Sequence, residues 1–358
     1  MSIIFPVAAF LMSRVLLMLY AQQTSANLPL SEALYHADVF WYHSLAENGY
    51  DSEPKAQMFI YAANWAFFPL YPMAVRFLAN VSDMQIPITG IVLSNTAFAF
   101  TLVLLYRYTL QLTDKPTAQI ITALMAISPF SLYYSLMYTE GLYTVLMIAI
   151  MLSAKNNRWI TAGILGALLS ATRVLGVMIV FPLLAIAVNQ HGFKQLLKVR
   201  TGTEPALFAI MIVPLGLFAY MLFLYDFTGD ALAFMHIQWA WARELHNPLV
   251  YLFGGFINDR GWINYNALLA LSGITGGIYL WRKQLEPEAL ILLIGTFIPL
   301  STGLASLQRY VGTLFPFMIL IGLLIRNRPL LTGATFLLFA FLFLFYVWSW
   351  THGHWYMI

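Results

Sequence analysis

Residues 330–350, LLTGATFLLFAFLFLFYVWSW, run for 21 positions without a charged side chain. At about 1.5 Å of rise per residue a helix of that length spans roughly 30 Å, the thickness of the hydrocarbon core of a bilayer. Working outward, comparable stretches lie near residues 3–20, 87–110, 117–134, 137–154, 206–225, 263–281, 288–306 and 309–325. The apolar run 159–190 is too long for one crossing and carries Arg173 near its middle, so it reads as two short spans meeting at the far surface. The chain thus predicts an all-α polytopic membrane protein with about eleven spans. Composition agrees: 61% of the 358 residues are hydrophobic, 9% are charged and mean hydropathy is +0.75, against about 25% charged in soluble domains. There is no cysteine, which excludes disulfides and thiolate metal sites. The net charge of +3 comes without any basic cluster interleaved with aromatics, so nucleic acid is not an expected partner. The first run lacks a basic leader and is long for a signal-peptide core, so it reads as a retained span. No repeat or low-complexity tract divides the chain, and residues 1–358 read as a single membrane domain.

Lys and Arg orient the spans. Eleven of the eighteen basic residues fall in connections containing Arg107 and Lys115, Lys155 and Arg158, Lys194, Lys198 and Arg200, Arg282 and Lys283, and Arg326 and Arg328. The positive-inside rule makes these cytoplasmic, with the N-terminus inside and the C-terminus outside. Residues 65–80 are apolar but short, and carry Pro69, Pro72 and Arg76. A crossing there would reverse every later loop, so the segment is expected to be an interfacial helix on the outer surface. Two long outer loops result, residues 21 to about 86 and 226–262. Of the fifteen acidic residues, eleven lie on the outer face: Glu32, Asp38, Glu47, Asp51, Glu53, Asp83, Glu140, Asp226, Asp230, Glu244 and Asp259. The positive-inside rule does not sort carboxylates, so the bias suggests an active or binding site facing outward.

The first outer loop contains His36-Ala37-Asp38-Val39-Phe40-Trp41-Tyr42. On a helix from about Ala37 to Asn48, Asp38, Trp41, Tyr42 and Leu45 share one face. Partial desolvation among such rings raises a carboxylate's pKa, which suits a general base acting on an alcohol; an aromatic belt with a solvated Asp38 fits the same pattern. Asn64-Trp65-Ala66-Phe67-Phe68-Pro69-Leu70-Tyr71-Pro72 reads as a rigid turn or the start of a membrane-resting helix. Glu140, at an outer boundary, needs a partner or a function. Arg173 meets that need, and it equally suits a phosphate, whose oxygens match the guanidinium fork. In the second loop His236, Gln238 and Trp241 fit either a sugar-stacking cleft or an interfacial helix. Arg309, followed by Tyr310, is a second phosphate candidate or a snorkelling side chain. Arg14, inside the first span, fits a transporter best, although it could also snorkel outward. No P-loop, Gly-rich dinucleotide turn, HExxH or G-x-S-x-G occurs. One His and one Asp at 36 and 38 do not define a metal site, but a loosely held divalent ion, Mg or Mn, is compatible with the outer acidic groups.

Taken together, Asp38-x-x-Trp41-Tyr42, Ala46-x-x-Gly49-Tyr50 and Ala66-Phe67-Phe68-Pro69-Leu70-Tyr71-Pro72 resemble the first lumenal loop of the PIG-V family, the second mannosyltransferase of GPI-anchor synthesis, and its prokaryotic relatives. Ser128-Pro129, Ser135, Tyr138-Thr139-Glu140 and Arg173 with Gly176 continue the likeness. Gln238-x-x-Trp241-x-Arg243 and Arg309-Tyr310 are similar to later motifs of prokaryotic members. Where the family often has Asn, this chain has Leu175.

The resemblance implies a GT-C membrane glycosyltransferase that moves a hexose from a polyprenyl-phosphate sugar to a glycan, lipid or protein acceptor, with inversion, on the periplasmic or exterior face of the cell membrane. Asp38 inherits the role of base. Arg173 and Arg309 are the expected donor-phosphate residues; Trp41, Tyr42, Glu140, His236, Gln238, Trp241, Arg243 and Tyr310 are the expected substrate contacts. A transporter or flippase of a lipid-linked glycan is the rival reading.

Overall fold

The computed structural model describes residues 3–25, 28–57, 60–199, 201–257 and 260–354, and these are overwhelmingly helical. Among the described residues, five stretches are long and apolar enough to cross a bilayer: Ile4–Thr24, Ile86–Thr109, Val174–His191, Glu204–Thr228 and Pro329–Thr351. Shorter apolar helices, Trp159–Ser170 and Phe315–Ile325, pack among them. So do Glu140–Lys155, Gly261–Arg282 and Glu286–Leu300. The chain is an integral membrane protein. Proline sets several helix starts: Pro87, Pro116, Pro287, Pro316 and Pro329 sit in first turns, where the missing N–H is not needed.

Contacts between helix ends separate the two faces. At one end Lys155 Nζ donates to Glu288 Oε1 at 2.9 Å and Gln190 Nε2 to the Ala154 carbonyl at 3.0 Å. The Tyr108 hydroxyl also donates to Glu288. The expected cytoplasmic connections meet here. At the other end, the hydroxyls of Thr24 and Thr351 lie 3.0 Å apart, and Trp350 Nε1 donates to the Leu34 carbonyl at 3.2 Å. Asp38 and Arg309 pair on this side. Arg200 and Asp259, each part of one charge set, lie outside the described residues.

Local structure departs from the periodicity in several places. The helix expected from Ala37 begins at Val39, because Ala37 takes the left-handed conformation with φ +54°. Residues 65–80 resolve into a 3-10 turn, Asn64–Ala66, and a helix, Leu70–Ser82. Phe68 precedes Pro69, and a residue before proline is held away from helical angles. That helix buries Tyr71, Pro72, Val75 and Ala79 and exposes Met73, Phe77 and Val81. A hairpin pairs Lys55–Gln57 with Ile60–Ala62, and the second loop holds a helix, Pro248–Phe256. Strands of three residues are too short to register as alternation.

Arg14 corrects the snorkelling expectation. It is 3% exposed and points inward. Its guanidinium donates to the carbonyls of Ala126 and Ser131 at 3.0 and 2.9 Å and to the hydroxyls of Ser131 and Ser135 at 3.0 and 2.8 Å. It also lies 4.7 Å from the Phe98 ring centroid. With its donors held by these acceptors, it ties the first helix to the turn that leads into Glu140.

Candidate active site

Asp38 stands immediately before the helix Val39–Asn48 and makes no capping bond with its side chain. The helix N-terminus nonetheless favours a negative charge at that position. Its backbone N–H donates to the Tyr138 hydroxyl at 3.1 Å, which fixes the loop against the Ser135–Glu140 turn. The carboxylate, 17% exposed, accepts from Arg309 Nη1 through Oδ2 at 2.7 Å. Arg309 therefore does not snorkel. Its Nε lies 3.4 Å from Glu140 Oε1. Glu140, 1% exposed, also accepts from Arg173 Nη2, and Arg173 Nε donates to Thr139 Oγ1 at 2.5 Å. Two carboxylates and two arginines thus form one chain of charges, Asp38, Arg309, Glu140 and Arg173.

Two glycines allow this approach. A Cβ on Gly141 would lie 2.7 Å from the Ser94 carbonyl oxygen, so the helix that begins at Glu140 could not come as close. On Gly176 a Cβ would lie 2.2 Å from the Leu169 carbonyl oxygen. The 3-10 turn Val174–Ile179 folds back there and presents Arg173.

Tyr310 sits among three arginines. Its ring centroid lies 6.0 Å from Arg173 Cζ, 5.5 Å from Arg309 Cζ and 5.6 Å from Arg243 Cζ. Arg243 Nη1 donates to the Tyr310 hydroxyl at 3.1 Å. These groups line a cavity of about 340 Å³. Asp38, Tyr42, Arg173, Gln238, Trp241, Arg243, Arg309 and Tyr310 all open onto it, brought together from both outer loops and two separate turns. Burial pushes the Tyr42 phenol up to about 12, so it stays protonated at neutral pH.

The remaining expected residues lie elsewhere. Trp41 backs the wall, stacked on Phe67 at 5.7 Å and edge-on to Trp241 at 5.4 Å. Glu140 lies beneath the arginines. His236 is turned away: its side chain is 66% exposed and its Nδ1 meets Asp230 Oδ2 at 2.6 Å. That bond holds the Asp230 carboxyl below its usual range. Tyr138 and Thr139, which belong to the motif around Glu140, and Ser306 carry no expected site role. The first two adjoin Glu140 in sequence, whereas Ser306 carries no signal beyond its position one helical turn before Arg309. Leu175 lines the cavity as well. It also borders, with Arg173 and Tyr310, a narrower apolar groove formed by Met147, Met178, Ile179, Leu290 and Ile294. Among the described residues no group of three or more His, Asp or Glu is placed to hold a metal ion.

A predominantly helical membrane fold with a charged cavity at one end of its spans defines the class, an integral membrane protein with a polar site at one face. The chain belongs to the mannosyltransferase (PIG-V) family, whose model matches residues 15–239, more than half of its length. It is 28% identical over 187 residues to GPI mannosyltransferase 2 from two strains of Cryptococcus neoformans var. neoformans serotype D. That match covers 49% of this chain and 43% of each relative, so the chain spans less than half the length of the curated relatives it matches. In fold it is similar to the apo oligosaccharyltransferase of Archaeoglobus fulgidus, with a TM-score of 0.50 and 14% identity over 96% of this chain and 55% of that one.

Proposed function

We propose that the chain transfers a hexose, mannose by family likeness, from a polyprenyl-phosphate donor to an acceptor hydroxyl on the non-cytoplasmic face of the cell membrane. The observation that carries this reading is the meeting of Asp38 with Arg173, Arg309, Arg243 and Tyr310 around one cavity bordered by an apolar groove. The groove takes the first part of the polyprenyl tail, which arrives laterally from the bilayer, and the cavity takes phosphate and sugar. Trp241 and Tyr42 offer ring faces to the sugar. Asp38 receives the acceptor's hydroxyl proton on Oδ1 while Oδ2 stays on Arg309. The acceptor oxygen bonds to the anomeric carbon from the face opposite the phosphate. The bond from that carbon to the phosphate oxygen breaks, and its electron pair leaves with the polyprenyl phosphate. A single displacement inverts the anomeric configuration. Arg173 and Arg309, held in place by Glu140 and Asp38, stabilise charge developing on the leaving phosphate; preorganised donors of this kind contribute on the order of 10²–10³ in rate.

The test is transfer by purified protein in lipid, using a panel of polyprenyl-phosphate hexoses. Wild type is expected to transfer one of them with inversion, and Asp38→Asn to retain its fold but fall by at least about 10²-fold in kcat. Equal activity of the two proteins removes Asp38 as base. Passage of the lipid-linked sugar across vesicles without any transfer establishes the flippase reading instead.

A further inference from the structure

The three arginines around Tyr310 differ in one respect. Arg309 pairs with Asp38 and Glu140, and Arg173 pairs with Glu140. Among the described residues Arg243 has no carboxylate partner. Its contacts are two neutral hydroxyls, Tyr310 at 3.1 Å and Ser306 at a marginal 3.5 Å. Three guanidinium charges thus face two carboxylates, and the unbalanced one belongs to Arg243. Its side chain is half-buried at the cavity wall, where an anion entering the cavity meets a guanidinium that no carboxylate already holds. The backbone is shaped to bring it there. Ala242 ends the 3-10 turn Ile237–Trp241 in the left-handed conformation, φ +52°, which non-glycine residues adopt at a cost of about 1–2 kcal/mol. Held strain of this kind gathers at functional sites. Framework turns carry Arg173 and Arg309, whereas Arg243 comes from the second outer loop.

Resting on the reading above and deepening it, we propose that Arg243 is the specificity-determining contact for the donor phosphate. It exchanges the Tyr310 and Ser306 hydroxyls for a phosphate oxygen, while Arg173 and Arg309 remain bound to their carboxylates. A phosphodiester brings one negative charge, which cancels the one unbalanced positive charge. A guanidinium–phosphate contact is charged on both sides and can be two-pronged, whereas the hydroxyl contacts are charged on one side only and one of them is marginal at 3.5 Å, so the exchange runs toward the ligand.

The test uses the full chain in phosphatidylcholine nanodiscs, with the phosphodiester methyl farnesyl phosphate and farnesol as probes and tryptophan fluorescence as readout. Wild type is expected to bind the phosphate at least tenfold more tightly than the alcohol. Arg243→Gln is expected to lose that preference and Arg243→Lys to keep part of it. In transfer assays Arg243→Gln should raise the donor KM at least tenfold and leave the acceptor KM unchanged. If Arg243→Gln unfolds, loss of the phosphate preference at high salt in wild type and its partial retention in Arg243→Lys serve in its place. The proposal is overturned if wild type binds both probes equally, if Arg243→Gln keeps the preference, or if Arg243→Lys and wild type are indistinguishable at every salt concentration. A phosphate preference that depends on Arg243, found together with no transfer from any donor, leaves the anion site standing and removes the glycosyltransferase reading.

Discussion

At the scale of single residues, Arg14 shows how a cation inside a span is accommodated without a carboxylate. Four acceptors on the Ala126–Ser135 segment take up its guanidinium protons, and two of them are main-chain carbonyls. Each buried acceptor left unmade costs about 1–3 kcal/mol. Arg14→Leu is therefore expected to lower unfolding stability by about 2–5 kcal/mol, and Ser135→Ala by about 1 kcal/mol because the carbonyl contacts persist. Thermal unfolding in detergent checks the order, and equal effects of the two would assign the energy to the serine. Asp38 makes a related point from the other face. The aromatic spacing around it indicates a ring-lined carboxylate, but not the guanidinium that meets it, since Arg309 is 271 positions away in the chain.

Among the elements, the break between Ser170 and Val174 matters most. The apolar run 159–190 shows from length alone that it must turn near Arg173, and the chain does turn there, as the helix Trp159–Ser170 followed by the 3-10 turn Val174–Ile179. How tightly it turns is not legible in hydropathy. Gly176 lies against the Leu169 carbonyl, so Gly176→Ala forces backbone atoms apart and moves Arg173 away from Glu140 and Thr139. The expected outcome is a stability loss of about 1–3 kcal/mol, typical of overpacking, with a larger proportional fall in activity than Gly254→Ala, whose Cβ would meet open space. Parallel melting and transfer measurements check this, and matching activities would show that the turn tolerates the methyl. The helix Leu70–Ser82 was legible as an apolar segment, and its start only through Pro69; the Lys55–Gln57 hairpin was not, because three residues carry no period.

For the whole molecule, the sorting of charge between two ends is the main organising feature. Because the chain has no cysteine, the arrangement can be probed by introducing one at a time. Glu53→Cys and Lys283→Cys, both at exposed positions, are expected to react with a membrane-impermeant maleimide from opposite sides of sealed vesicles. Reaction from the same side would overturn the orientation drawn from the basic loops. The cavity belongs to this scale too, since its walls come from both outer loops and from the turns at residues 172–175 and 298–310.

Sequence alone determined that the chain lives in a membrane and roughly where its helices run, because hydropathy is a sum over neighbouring residues. It also carried the family motifs that name most of the cavity's residues. Only the tertiary structure decided that Arg14 turns inward, that His236 faces away, and that Arg309 and Arg173 are already paired while Arg243 is not. Those outcomes depend on which distant segments pack together in a medium without water, where each charge is settled by the partner that packing brings to it.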